Sequence, residues 1–161
     1  MLLSDGQFPD EWESVLLFEE WLIPVCAAGD SEAGPWSLAR LRAAEQLHPT
    51  PDRRDLRRLL QATGLGEQVP LKTGQLLDML ELGIVAAARG YGVSIVDLLM
   101  VAEDVNAGRL GVPWPTAVFS GDSYYMVWPR GHRAQTRLQR LRDYLLAEVA
   151  ALALPGVERL R

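Results

Sequence analysis

The sequence has one cysteine, Cys26, in 161 residues. It can form no internal disulfide, which suits a reducing compartment. It has no surplus of basic residues: 16 Lys and Arg stand against 21 Asp and Glu, for a formal net charge of −5. That balance argues against electrostatic binding of nucleic acid by these residues. No apolar run approaches the ~18 residues needed to span a bilayer; the longest, around Gly83–Ala88, stops at Arg89. The opening stretch, MLLSDGQFPDEWES, is acidic and has neither the basic start nor the apolar centre of a secretory signal. A cytoplasmic location, without membrane contact, is expected.

Catalytic signatures are missing too. The two histidines, His48 and His132, lie far apart and have no partners at metal-site spacing, so no metal is expected. There is no nucleophile elbow and no phosphate-binding loop. Gly90-Tyr91-Gly92 follows a helical stretch and precedes an extended one, the reverse of a dinucleotide fingerprint. Adjacent acids such as Glu19-Glu20 point to opposite faces of a strand and make no catalytic pair. Neither an enzyme nor a cofactor is implied.

What is present is an ordinary globular composition, 48% hydrophobic and 23% charged. VLLFEEWLIPVCAA is extended, with a break expected at Pro24, and GDSEAGPW is a loop. Ser37 is placed to cap a short helix, SLARLRAA. In HPTPDRRDLRRLLQATG, Thr50 is the expected N-cap, Pro51 the first helical residue and Gly64 the C-terminal stop. EQVPLK is expected as a short strand. A helix from about Gly74 to Arg89 is apolar almost all round and hence mostly buried. GVSIV is a buried strand, DLLMVAEDVNAG a helix, and RLGVPW and SYYMVWP are extended. A last helix from about Ala134 to Ala153 carries Leu138, Leu141, Leu145, Val149 and Leu152 on one face. Alternating strands and helices predict an α/β unit with a mainly parallel sheet.

Thr73-Gly74-Gln75 is the one segment with binding chemistry. At a helix start, free backbone N–H groups, a hydroxyl and an amide would suit an anion or carboxylate. The other reading is a cap that serves only its own helix.

The ordered set FEEWLIPVC, DRRDLRRLLQATG, LLDMLELGIVAAARGYGVSIV, LLMVAEDVNAGRLGVPW and SYYMVWPRG, then a helix with LQRLRDYLLAEVA, resembles the effector-binding domain of LysR-type transcriptional regulators. The likeness is to the branch of the glycine-cleavage activator and the β-lactamase regulator, and it covers about Gln7 to Ala150. It implies a fold of the type 2 periplasmic-binding-protein kind, with one complete α/β lobe and part of a second. Residues 1–19 would be a remnant of regulatory lobe one. Residues 20–129 would form lobe two with two crossing strands, near Glu20–Ala27 and Ser123–Pro129. Residues 130–161 would add a C-terminal helix belonging to lobe one.

The sequence thus resembles a C-terminal fragment without the family's winged helix-turn-helix. DNA would be reached only through that absent domain. The resemblance places Thr73, Gly74, Gln75, Cys26, Ala27 and Tyr124 or Tyr125 around a small-molecule effector, a carboxylate or other anion. It also implies a homo-oligomer. A stand-alone solute-binding protein is the alternative, and it would need an export signal.

Overall fold

A computed structural model describes residues 1–31, 34–132, 135–152 and 154–161. In chain order the elements are β1 (Leu2–Ser4), β2 (Trp12–Ala27), α1 (Ala28–Ser31), α2 (Leu38–Ala43), β3 (Gln46–His48), α3 (Arg54–Ala62), β4 (Gln75–Leu76), α4 (Leu80–Ala88), β5 (Val93–Asp97), α5 (Leu98–Asn106), β6 (Leu110–Gly111), β7 (Thr116–Pro129), α6 (Gln135–Ala151) and β8 (Glu158–Leu160). Among the described residues no helix is long and apolar enough to cross a membrane.

The strands lie in the order β1-β7-β2-β5-β3-β4, with β6 added to β2 and β8 to β7. The sheet is mixed rather than mainly parallel. Strands β5, β3 and β4 pair in parallel, as the helical crossovers α3 and α4 require, while the long β2 is antiparallel to both β5 and β7. WLIPVC is apolar without alternation because helices cover both faces of the sheet. Leu22 and Ile95 pack with Leu56, Leu59 and Leu60 of α3 on one side. Ile23, Val25 and Val96 pack with Ala87, Leu98 and Val101 on the other. Pro24 does not break β2. It pairs with Ile95 of β5 on one side, and on the other falls in a gap after the last β7 partner (Leu22↔Val118) and before the first β6 partner (Cys26↔Gly111), where a missing N–H is tolerated.

Two helix starts differ from expectation. Thr50 does not cap α3. Its hydroxyl donates to Asp52 Oδ1 (2.6 Å), which also accepts from the Arg54 N–H (3.3 Å), and the cap position falls on Arg53 in a left-handed conformation (φ 54°). The long apolar helix starts at Leu80, not Gly74. Gln75 and Leu76 instead extend the parallel sheet, opposite Leu47 and His48.

EQVPLK is not a strand. Its end is tied to the buried Gln46 amide. That side chain donates to Pro70 O and accepts from the Lys72 N–H, both at 2.8 Å.

Helix α6 spans Gln135–Ala151, and the expected limits Ala134 and Ala153 lie outside the described residues. It packs on β2 of its own chain. Leu138, Leu145, Val149 and Leu152 are half-buried, while Leu141 stays 48% exposed. Beyond it β8 pairs in parallel with β7, and Arg161 meets the Glu19 carboxylate at 2.7 and 2.9 Å.

Candidate functional site

The β2–β7 ladder is interrupted twice. One step, from Leu16 to Phe18, leaves Leu17 extra. The next, from Glu19 to Trp21, opposes Glu20 on β2 to Ser120, Gly121 and Asp122 on β7. Gly121 takes φ 104°, and the Ser120 hydroxyl accepts from the Asp122 N–H (3.0 Å). Such irregularities re-aim side chains out of the alternating pattern. Here they turn Glu20, Ser120 and Asp122 into one cleft.

That cleft has a volume of about 370 Å³, within the ordinary range for a small-ligand site. Its floor is Leu22, Glu20 and Tyr124 of the two long strands. One wall is the start of α3, with Thr50, Arg54, Asp55, Arg57 and Arg58. Leu80 at the start of α4 and Leu3 of β1 close the rim. Pro49 and Leu80 follow the C-terminal ends of the parallel strands β3 and β4, the edge at which open α/β sheets bind ligands. Arg53, beside this wall, is the one non-glycine residue with positive φ among the described residues. Backbone strain of that kind gathers at binding sites.

Electrostatics set the cleft apart. Burial pushes the Glu20 carboxyl up, the Ser120 hydroxyl bond opposes this, and Asp55 and Asp122 add to the rise. Burial also raises Asp55. Asp97, at the end of β5, is only 2% exposed. Its Oδ1 accepts from the Leu99 N–H (3.1 Å) and so caps α5, while Oδ2 has no hydrogen bond of normal geometry. Burial pushes this carboxyl up to about 6, with Glu20 adding to the effect and the Trp21 N–H exerting the smallest influence. Tyr124 is pushed up to about 12, by burial first and then by Asp97 and Glu20. Asp97 is the Cα partner of Leu22, so its side chain leaves the sheet on the cleft side.

Of the seven sequence-derived candidates, Tyr124 lines this cleft, its ring stacked on Phe18 (4.6 Å, 28°). Tyr125 alternates to the opposite face, edge-on to Phe8 at 5.0 Å. Cys26 and Ala27 pair with Gly111 and Leu110 at the far end of β2, roughly 20 Å from Glu20 at ~3.4 Å per residue. The Cys26 thiol is fully buried and pushed up to about 11, by burial first and then by Asp30, so it is a core residue with little thiolate. Thr73 and Gln75 are exposed on the surface at β4, and Gly74 passes against the Gln46 carbonyl and His48 ring. The helix start that motivated them lies at Met79–Leu80, where no side chain caps the helix. Sequence reasoning did not single out Glu20, Asp55, Asp97 or Asp122 for the site. The available signal was Ser120-Gly121-Asp122, a polar glycine break inside an extended run.

The family model described as LysR substrate binding domain matches residues 1–150. The glycine cleavage system transcriptional activator of Escherichia coli (strain K12) is 25% identical over 139 residues; the match covers 84% of this chain and 44% of that protein. The chain therefore spans under half the length of this curated relative. Among solved structures, the effector domain of the transcriptional regulator AmpR of Pseudomonas aeruginosa superposes with TM-score 0.69 at 22% identity, covering 92% of this chain and 69% of that one. The AmpR effector binding domain from Citrobacter freundii gives TM-score 0.69 at 18% identity, with 92% and 72% coverage.

Proposed function

The chain belongs to the LysR substrate binding domain family, and on that premise we propose that it is the effector-sensing part of a LysR-type transcriptional regulator. Its fold is the α/β, type 2 periplasmic-binding-protein-like fold of effector-binding domains. In this reading β2 and β7 are the crossing strands. Residues 20–129 form one regulatory lobe, and residues 1–19 and 130–161 belong to the other. A small molecule enters the cleft and stabilises one relative placement of the lobes. Only a difference in affinity between open and closed placements can transmit the signal. The sensor works in the cytoplasm as a homo-oligomer and catalyses no reaction. DNA is contacted by a winged helix-turn-helix domain, not by these residues.

The observation that carries the reading is the position of the cleft. It lies where the two long strands lose register, next to the C-terminal edge of the parallel strands. Movement of one lobe against the other must pass through that same irregular step.

The test uses a full-length regulator carrying this sequence, with its effector concentration–response measured by reporter or DNA-binding assay. Tyr124→Phe is expected to raise the half-maximal effector concentration about tenfold, the loss of one hydrogen bond to a charged or desolvated partner, with effector-free DNA binding retained. An unchanged response would remove Tyr124 from the site. Thr73→Val in the same assay decides the Thr73-Gly74-Gln75 segment: equal effector affinity would exclude it.

A further inference from the structure

We propose that the cleft at the β2–β7 irregularity recognises a small organic cation, the protonated nitrogen of an amine or a guanidine, as the anchoring end of its effector. The proposal rests on the reading of this cleft as the effector site, and it replaces the expectation of an anion. That expectation depended on a helix start at Thr73-Gly74-Gln75, and no helix starts there.

Formal charge in the cleft looks balanced, with Glu20, Asp55 and Asp122 set against Arg54, Arg57 and Arg58. The contacts are not balanced. Arg57 donates one N–H to the Asp52 carbonyl (3.1 Å) and Arg58 one to the Phe119 carbonyl (3.2 Å), so each guanidinium is tethered to backbone rather than paired with a lining carboxylate, and keeps its charge. The one approach of a cation to a lining carboxylate is Arg54 Nε to Asp55 Oδ1 at 3.8 Å, too long for a charge-assisted hydrogen bond. Among the described residues, Glu20 and Asp122 make no ion pair.

Asp97 supplies independent support. It is 98% buried, its Oδ2 has no hydrogen bond of normal geometry and feels the Trp21 N–H only weakly, and its strand partner Leu22 lies on the cleft floor. Its electrostatic neighbours are Glu20 and Tyr124, both lining residues. A buried carboxylate left without a partner is costly. The costs at Glu20, Asp55 and Asp97 show as carboxyls pushed upward. A ligand cation would meet Glu20 and Asp55 on the cleft lining and act on Asp97 through space, behind the floor.

The kind of cation follows from the spacing. No three Asp, Glu, His or Cys side chains among the described residues converge closely enough to hold a metal ion. The lining carboxylates come from β2, α3 and β7 and surround a space rather than a point, with Asp97 of β5 buried behind the floor residue Leu22. A nitrogen carrying several divergent N–H donors fits that arrangement. The face of Tyr124, backed by Phe18, offers it an aromatic surface. Arg54, held only loosely, stands ready for an acidic group at the ligand's other end. Free amines and amino acids share the anchoring chemistry and differ in that second group.

The experiment is amide NMR of this chain at pH 7.5, titrated separately with 1,4-diaminobutane, L-lysine and succinate. The amine-bearing probes are expected to move the resonances of Glu20, Ser120, Asp122 and Tyr124 saturably. Glu20→Gln combined with Asp122→Asn should weaken them at least tenfold. Resonances of the core around Ile23 and Val96 should stay in place, which shows that the variant is folded. Lowering the pH to 5 should weaken amine binding as Asp97, pushed up to about 6, takes up a proton beside Glu20 and Tyr124, with Arg54 across the cleft. If L-lysine binds tighter than the diamine and Arg54→Gln removes the difference, the effector is of amino-acid type; equal binding assigns the cation alone. Shifts of those resonances by succinate but not by the amines would overturn the proposal and leave the cleft as effector site. Shifts by no probe at those resonances, up to high millimolar concentration, would overturn both.

Discussion

Gly74→Ala is expected to destabilise the protein by about 2–4 kcal/mol, the sum of a left-handed backbone and an overpacked contact. Gly74 has φ 56°, and a Cβ there would stand 2.2 Å from the Gln46 carbonyl oxygen and 2.9 Å from the His48 ring. Both neighbours belong to β3, so the clash cannot be relieved by turning a flexible side chain. Gly64→Ala is the control. Gly64 has φ 70° but open space where the Cβ would go, and the cost should be about 1 kcal/mol. Urea denaturation of the two variants measures the difference. Equal losses would mean that the chain does not pass close to β3 at Gly74, and a helix beginning there would again be possible.

Asp97→Asn should do the opposite and stabilise the protein by about 1–3 kcal/mol at pH 7.5. The Asp97 carboxyl is pushed up to about 6 from an ordinary value of 3.8. A raised pKa means that the folded state prefers the protonated form. The group's contribution to stability is therefore complete below pH 3.8 and is lost as the pH rises through about 6. Asparagine keeps the acceptor that caps Leu99 and removes the charge. The gain should be large at pH 7.5 and vanish near pH 4, and the variant's stability should vary less with pH across that window. A stability curve parallel to that of the unsubstituted protein would show that Asp97 is already neutralised by a partner. A residue that lowers stability at working pH has to be maintained by something other than folding. Under the proposal of a cation-binding cleft, that role is ligand recognition.

The regular elements were legible because their signals are local. β2 and β7 show in their apolar composition, and α3 and α5 in the spacing of leucines and the glycines that follow. β3 and β4 were not legible as strands. They have three and two residues, too few for any periodicity, and both depend on pairing with chain distant in sequence. The apolar pattern after Gly74 misplaced the start of α4. The pattern is real, but Gln75 and Leu76 are taken up by the sheet edge beside His48, a tertiary demand that overrides helix propensity.

The family resemblance offered Tyr124 or Tyr125, and of the two it is Tyr124 that lines the cleft. The carboxylates around it were not, because Glu20 and Asp122 meet only through a slip in strand register. Asp97 reads in sequence only as the first residue of the helical stretch DLLMVAEDVNAG. The second role proposed for it depends on its strand partner Leu22, which lies on the cleft floor.

Hydrogen–deuterium exchange on a full-length regulator, with and without its effector, tests the central claim most directly. If the effector binds at the irregular step and moves one lobe on the other, protection should rise at 19–22, 50–58 and 119–124. The far end of the unit, around Cys26 and Gly111, should exchange unchanged. Protection confined to that far end or to the β4 edge, with 19–22 and 119–124 unaffected, would contradict the account.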